Sequence, residues 1–132
     1  MKNSGNSSQE SDRTGTFISP AIVGGNFVIT SGHVGWDPET REAAATIEAQ
    51  TAQTIENLKA VLEASGSSLS DVVKVNVYLV NIEDFESMNQ VYRRYFRENA
   101  PARTTVGVAA LARSDLLIEI DMVALLPEAG AK

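Results

Sequence analysis

Two short stretches place charge where it could do chemistry. Pro101-Ala102-Arg103-Thr104-Thr105-Val106-Gly107-Val108 reads as one strand and Leu117-Ile118-Glu119-Ile120-Asp121 as another. At a strand's period of two, Arg103 and Thr105 share a face, while Glu119 and Asp121 alternate with Ile118 and Ile120. Arg and Glu are almost never fully buried unless they are paired or bind something. The pattern leaves three arrangements open: a solvated sheet face, an Arg–carboxylate pair across neighbouring strands, or a cation whose partner is a bound anion. The single histidine, His33, follows Thr30-Ser31-Gly32. It is either an acid or base working near neutral pH or a loop histidine satisfied by a backbone carbonyl. Trp36, in the next turn, either lines a pocket or caps the core.

Other chemistries drop out. The 132 residues include no cysteine, which removes disulfides, thiolate metal sites and a cysteine nucleophile. One histidine makes a dedicated transition-metal site unexpected. Neither a G-x-x-x-x-G-K-[ST] nor a G-x-G-x-x-G loop is present, and no G-x-S-x-G elbow surrounds a serine. A net charge of −6 opposes a phosphate backbone, so no nucleic-acid partner is expected. No apolar run approaches a membrane span, and the first residues lack the apolar core of a secretion signal. The expectation is a cytoplasmic protein with no membrane partner.

The elements that must hold these residues follow from periodicity. Residues 1–15 contain no aliphatic residue after Met1 and read as a disordered tail. Residues 16–127 form one domain, and 128–132 a short C-terminal tail. Residues 17–23 suit an edge strand, turning through Gly24-Gly25-Asn26 into the strand Phe27–Thr30. Ser31 to Gly35 is expected to break that strand. Thr46 caps a helix with Ile47, Thr51, Ile55, Leu58 and Leu62 on one stripe, ending near Gly66. Val72–Val80 alternates as a strand. A second helix starts near Asn81, carries Phe85, Met88, Tyr92, Tyr95 and Phe96, and ends before Pro101. Two strands close the chain, about 102–111 and 117–125. The order β-β-α-β-α-β-β predicts an α+β fold with a mostly antiparallel sheet and both helices on one face. A sheet covered on one side calls for another subunit on the other.

Several collinear stretches resemble the reactive intermediate deaminase (Rid, YjgF-like) family. They are Pro101-Ala102-Arg103-Thr104-Thr105-Val106 with Ile118-Glu119-Ile120, and Gly25-Asn26-Phe27-Val28-Ile29-Thr30-Ser31-Gly32. Gln50–Gly66, Asp71–Leu79, and Phe85–Phe96 with Asn89 and Tyr92 agree in the same order. The resemblance spans about residues 17–125. It implies a chorismate-mutase-like fold, a homotrimer with sites at subunit interfaces, and no cofactor or metal. It also implies hydrolysis of reactive enamines and imines of carboxylate-bearing metabolites to keto acids and ammonia. On that reading Arg103 grips the substrate carboxylate with its planar fork, and Glu119 positions or activates water. Ser31 and Asn89 resemble polar positions near the cleft, and Thr105 stands where many members have cysteine. Two departures matter. Ile18 stands where active members often carry tyrosine, and His33 follows the Thr-Ser-Gly stretch. These changes point to a different or bulkier substrate, with Trp36 as a candidate lining residue. The competing readings are a pathway deaminase or hydrolase for an aminomuconate-type ring-cleavage product, and a non-catalytic trimer that binds a small metabolite.

Overall fold

A computed structural model describes residues 17–127; the expected tails at 1–15 and 128–132 lie outside the described residues. In chain order the elements are β1 (Ala21–Gly24), β2 (Phe27–Thr30), β3 (His33–Val34), α1 (Ile47–Ala64), β4 (Val72–Leu79), α2 (Phe85–Tyr95), β5 (Ala102–Gly107) and β6 (Ile118–Leu125). The fold is α+β. Its sheet runs β1-β2-β6-β4-β5, with β3 pairing a second stretch of β6. Only β4 and β5 run parallel; the other pairs are antiparallel.

One sheet face is the core. Val75, Val77 and Leu79 of β4, Ile118, Ile120, Met122 and Ala124 of β6, and Val28 of β2 are buried together with Ile55, Leu58 and Leu62 of α1 and Met88 and Tyr92 of α2. Both helices therefore cover the same face. The alternate residues are polar or partly exposed: Lys74, Asn76 and Tyr78 on β4, Glu119, Asp121 and Val123 on β6, and Phe27 and Ile29 on β2. No element among the described residues covers them. This is the period-two pattern expected of a sheet with one dry side.

Helix α1 forms where its stripe and its cap agree. The Thr46 side chain accepts a hydrogen bond from the Ala49 N–H at 3.1 Å. Its buried polar residues are all satisfied. Thr51 and Thr54 donate to the carbonyls of Ile47 and Gln50, each at 2.7 Å. The Gln50 amide donates to the carbonyls of Ala44 and Asp115 and accepts from the Leu117 N–H. One buried side chain thus moors the irregular segment leading into β6.

The structure corrects four details. First, β5 ends at Gly107 instead of near 111. Its parallel partner β4 stops at Leu79, so beyond one last bond from the Val108 N–H to the Leu79 carbonyl (2.8 Å) no ladder remains. Second, Ser31–Gly35 does not abolish pairing. Ile29 faces Val123, but His33 faces Ile120, so the chain holds one extra residue between β2 and β3. The Thr30 hydroxyl accepts the Met122 N–H at 2.9 Å across this bulge. Third, the region near Asn81 opens with a 3-10 turn, Ile82–Asp84, and the α-helix spans only Phe85–Tyr95. Fourth, the first strand spans Ala21–Gly24 instead of 17–23; in the sheet, β4 lies between the last two strands.

Gly35 is buried where the end of β3 passes the first turn of α1. A Cβ there would overlap the Gln50 carbonyl oxygen and come within 2.7 Å of its Cα. Gly35→Ala is expected to cost about 1–3 kcal/mol through overpacking against helix backbone. Urea unfolding measures it, and parental stability would show that α1 shifts freely.

Candidate active site

On β5, Arg103 pairs with Val75 and Thr105 with Val77. Directly paired residues share a sheet face, and Val75 and Val77 face the helices. Arg103 and Thr105 therefore lie on the helix side, at the sheet edge, where α2 meets them. The Arg103 guanidinium sits over the Tyr92 ring at 4.5 Å from its centroid and 5.7 Å from that of Phe85. Its Nη1 lies 3.9 Å from the Met88 sulfur. Phe85, Met88 and Tyr92 fall on one stripe of α2. Asn89 follows Met88 in the same turn, half-buried, with no side-chain hydrogen bond among the described residues. No carboxylate among the described residues lies within ion-pair distance of Arg103; the ion pair found there joins Arg113 and Asp115. Burial pushes the Tyr92 phenol up, while the neighbouring Arg103 acts in the opposite sense through its charge and its N–H donors.

Glu119 stands on the other side of the sheet. On β6 it faces Tyr78 of β4 and Val34 of β3. It crosses Gly32 so closely that a Cβ on Gly32 would overlap its Oε2. Only glycine leaves that path clear. Asp121, two residues on, is held by the Asn76 amide at 2.8 Å and the Tyr78 hydroxyl at 2.9 Å. That bond to Asp121 is the main reason the Tyr78 phenol is raised. Glu119 has no such donor among the described residues. Desolvation, and then the charge of Asp121, raise its carboxyl pKa from its ordinary value. A carboxyl moved toward neutrality can both take and return a proton.

The remaining candidates fall in two places. The Ser31 hydroxyl donates to the Ser19 carbonyl at 2.5 Å, and the Ser31 N–H to Pro20 at 2.9 Å. This ties the Ile18–Pro20 segment beside Gly32 and Glu119, with the Ile18 side chain 66% exposed. His33 is spent on backbone: its Nε2 is 3.2 Å from the Pro20 carbonyl. Burial lowers its pKa, partly offset by that bond, so the ring is neutral at physiological pH. The backbone-carbonyl partner of the second reading is present, although His33 lies on β3 and not in a loop. Trp36 lies under two guanidiniums, Arg41 at 5.3 Å and Arg113 at 5.0 Å, and Asp115 holds Arg113 through two bonds. None of these partners is another candidate.

The structure thus gathers Arg103, Thr105 and Asn89 on one side, and Ile18, Ser31 and Glu119 at another place. Arg103 and Glu119 lie on opposite faces of one sheet, and an Arg–carboxylate pair across neighbouring strands does not form. Sequence reasoning missed four contributors. Phe85, Met88 and Tyr92 read only as a core stripe, and Gly32 only as part of a strand break. A tyrosine within that stripe was the available signal, because a buried phenol needs a partner. Among the described residues no cluster of three or more His, Asp or Glu could hold a metal ion. No helix there is long and apolar enough to cross a membrane.

The sequence profile of the family described as Endoribonuclease L-PSP matches residues 9–126. The chain belongs to this family, the Rid or YjgF-like family. It is 50% identical over 107 residues to a RutC family protein of Pyrococcus horikoshii, covering 80% of this chain and 84% of that protein. It is 40% identical over 114 residues to the 2-iminobutanoate/2-iminopropanoate deaminase of Escherichia coli K12, covering 82% and 88%. Among solved structures, Escherichia coli TdcF with bound serine superposes with a TM-score of 0.77 at 33% identity, covering 81% and 86%.

Glu119 supplies a pH prediction. Its folded-state pKa is raised, so the stability it contributes is present below the unfolded carboxyl pKa and lost as pH rises through the folded value. Glu119→Gln is therefore expected to be more stable than the parent at neutral pH and equal to it in acid. Thermal unfolding at both pH values reads this, and equal melting at neutral pH would contradict it.

Proposed function

We propose that this protein hydrolyses imines or enamines of small carboxylate-bearing metabolites to 2-keto acids and ammonia, at a site completed between copies of the chain. The observation that carries the reading is Arg103, a cation with no anion partner among the described residues, set on a cradle of two rings and a sulfur. An unpaired guanidinium in such surroundings is expensive, and a ligand carboxylate relieves it with two parallel hydrogen bonds. The related Escherichia coli deaminase acts on imino acids, and TdcF was solved with serine, which also carries a carboxylate.

The chemistry needs a water and a proton carrier. With the carboxylate held by Arg103, water adds to the iminium carbon while Glu119 takes its proton. The carbinolamine nitrogen receives that proton, Glu119 then takes the hydroxyl proton as the C=O forms and the C–N bond breaks, and ammonia leaves with the keto acid remaining. The raised Glu119 carboxyl suits these transfers. Arg103 and Glu119 point to opposite faces of one chain, so their meeting requires a second copy. The uncovered face offers the surface for it, with Ile22, Phe27, Ile29 and Leu125 each at least 36% exposed. A closed ring of three copies with three equal sites is the assembly we propose. The family's description names an endoribonuclease, but a net charge of −6 favours a small anion over an RNA backbone.

Ammonia release from enzymatically generated 2-iminobutanoate tests the activity, and calorimetry with 2-oxobutanoate tests binding. Arg103→Ala is expected to abolish both, and Arg103→Lys to lose most of both, because Lys keeps the charge but not the fork. Glu119→Gln is expected to keep binding and lose turnover. Neither variant works alone, but refolded together they should recover about a quarter of parental activity, the share of junctions that pair an intact Arg with an intact Glu. No recovery, or a stable monomer in sedimentation, would overturn the shared site. Binding without ammonia release from any imine would leave a metabolite-binding protein.

A further inference from the structure

Tyr92 carries a feature that packing does not account for. It is 8% exposed, and its hydroxyl is the one buried side-chain oxygen or nitrogen among the described residues without a hydrogen-bond partner. Native proteins rarely leave a buried hydroxyl idle, and a phenylalanine would fill the same space at no such cost. Directly over that ring lies the Arg103 guanidinium, which has five N–H donors; near them, among the described residues, are the Met88 sulfur and the Tyr92 hydroxyl itself, close enough for the guanidinium to act on the phenol yet short of hydrogen-bond geometry. Sulfur at 3.9 Å is a weak acceptor. An idle oxygen and an under-used set of donors therefore sit side by side. The ring is also a firm support, because Phe96 packs against it with centroids 4.7 Å apart.

We propose that Tyr92 is the positioning residue of the anion-binding arginine. Its ring fixes the plane of the Arg103 guanidinium, and its hydroxyl accepts a guanidinium N–H once a bound carboxylate turns the fork. This rests on the function above only for the identity of the anion. Phe85, farther away and without a hydroxyl, contributes bulk alone. With a carboxylate bound, the anion takes two N–H groups and Tyr92 a third, so the fork is held from both ends.

Two variants separate ring from hydroxyl. Tyr92→Phe keeps the platform; it is expected to bind pyruvate and 2-oxobutanoate about tenfold more weakly, with KM raised to match and kcat within about twofold. Its melting temperature should be equal to or above the parent's, since the removed hydroxyl had no partner to lose. Tyr92→Leu removes the platform. Nitrogen NMR of the Arg103 side chain, without ligand, should then show free guanidinium rotation where the parent shows hindered rotation. Parental affinity in Tyr92→Phe overturns the proposal, and so does a fall in melting temperature parallel to the fall in affinity. Guanidinium rotation as free in the parent as in Tyr92→Leu also overturns it. If the parent binds no keto acid, the functional reading fails instead, and the rotation measurement alone decides the role of Tyr92.

Discussion

The arrangement depends on the period of two along β4. That strand is paired on both sides, and a paired residue shares its partner's face. Val75 carries Arg103 with it to the helix side, and Tyr78 carries Glu119 to the uncovered side. The separation of the two chemical groups is thus set by the burial of Val75, Val77 and Leu79. A slip of one residue would expose all three and bury Lys74, Asn76 and Tyr78 in their place, so the register is tightly held. The hydrophobic core decides that a single chain holds Arg103 and Glu119 apart.

The two halves are also electrically unlike. Around Arg103 the surroundings are aromatic and sulfur-lined, with little to compete for its hydrogen bonds. Around Glu119 they are polar and crowded with charge, and Asp121 takes the local donors, Asn76 and Tyr78. The first environment suits gripping a fixed charge. The second suits a group whose charge must change, because partial desolvation beside a like charge keeps the protonated form within reach.

Much of this was legible in the sequence because it is local. The shared face of Arg103 and Thr105, the alternation of Glu119 and Asp121, the α1 stripe under the Thr46 cap and the one-sided sheet all follow from spacing. What escaped is non-local. Nothing in residues 101–125 reveals that β4 lies between the last two strands, since pairing partners are chosen by the whole sheet. The bulge between Thr30 and His33 likewise depends on β6. His33 kept two readings until the Pro20 carbonyl appeared beside it. Tyr92 hid within an apolar stripe because periodicity records where a side chain points and says nothing about whether its hydroxyl is satisfied.

The single parallel pair in the sheet gives the two halves different histories. Phe85, Met88, Tyr92 and Arg103 all belong to the continuous β4–α2–β5 segment, so their cradle closes with short loops and little chain entropy lost. Glu119 meets Gly32 only when the two ends of the domain come together. Contact order therefore ranks the Arg103 half ahead of the Glu119 half on the folding route. A chain caught partly folded would present a formed arginine cradle beside a Glu119 still without its Gly32 neighbour, and under the proposed function would hold a metabolite before it could transform one.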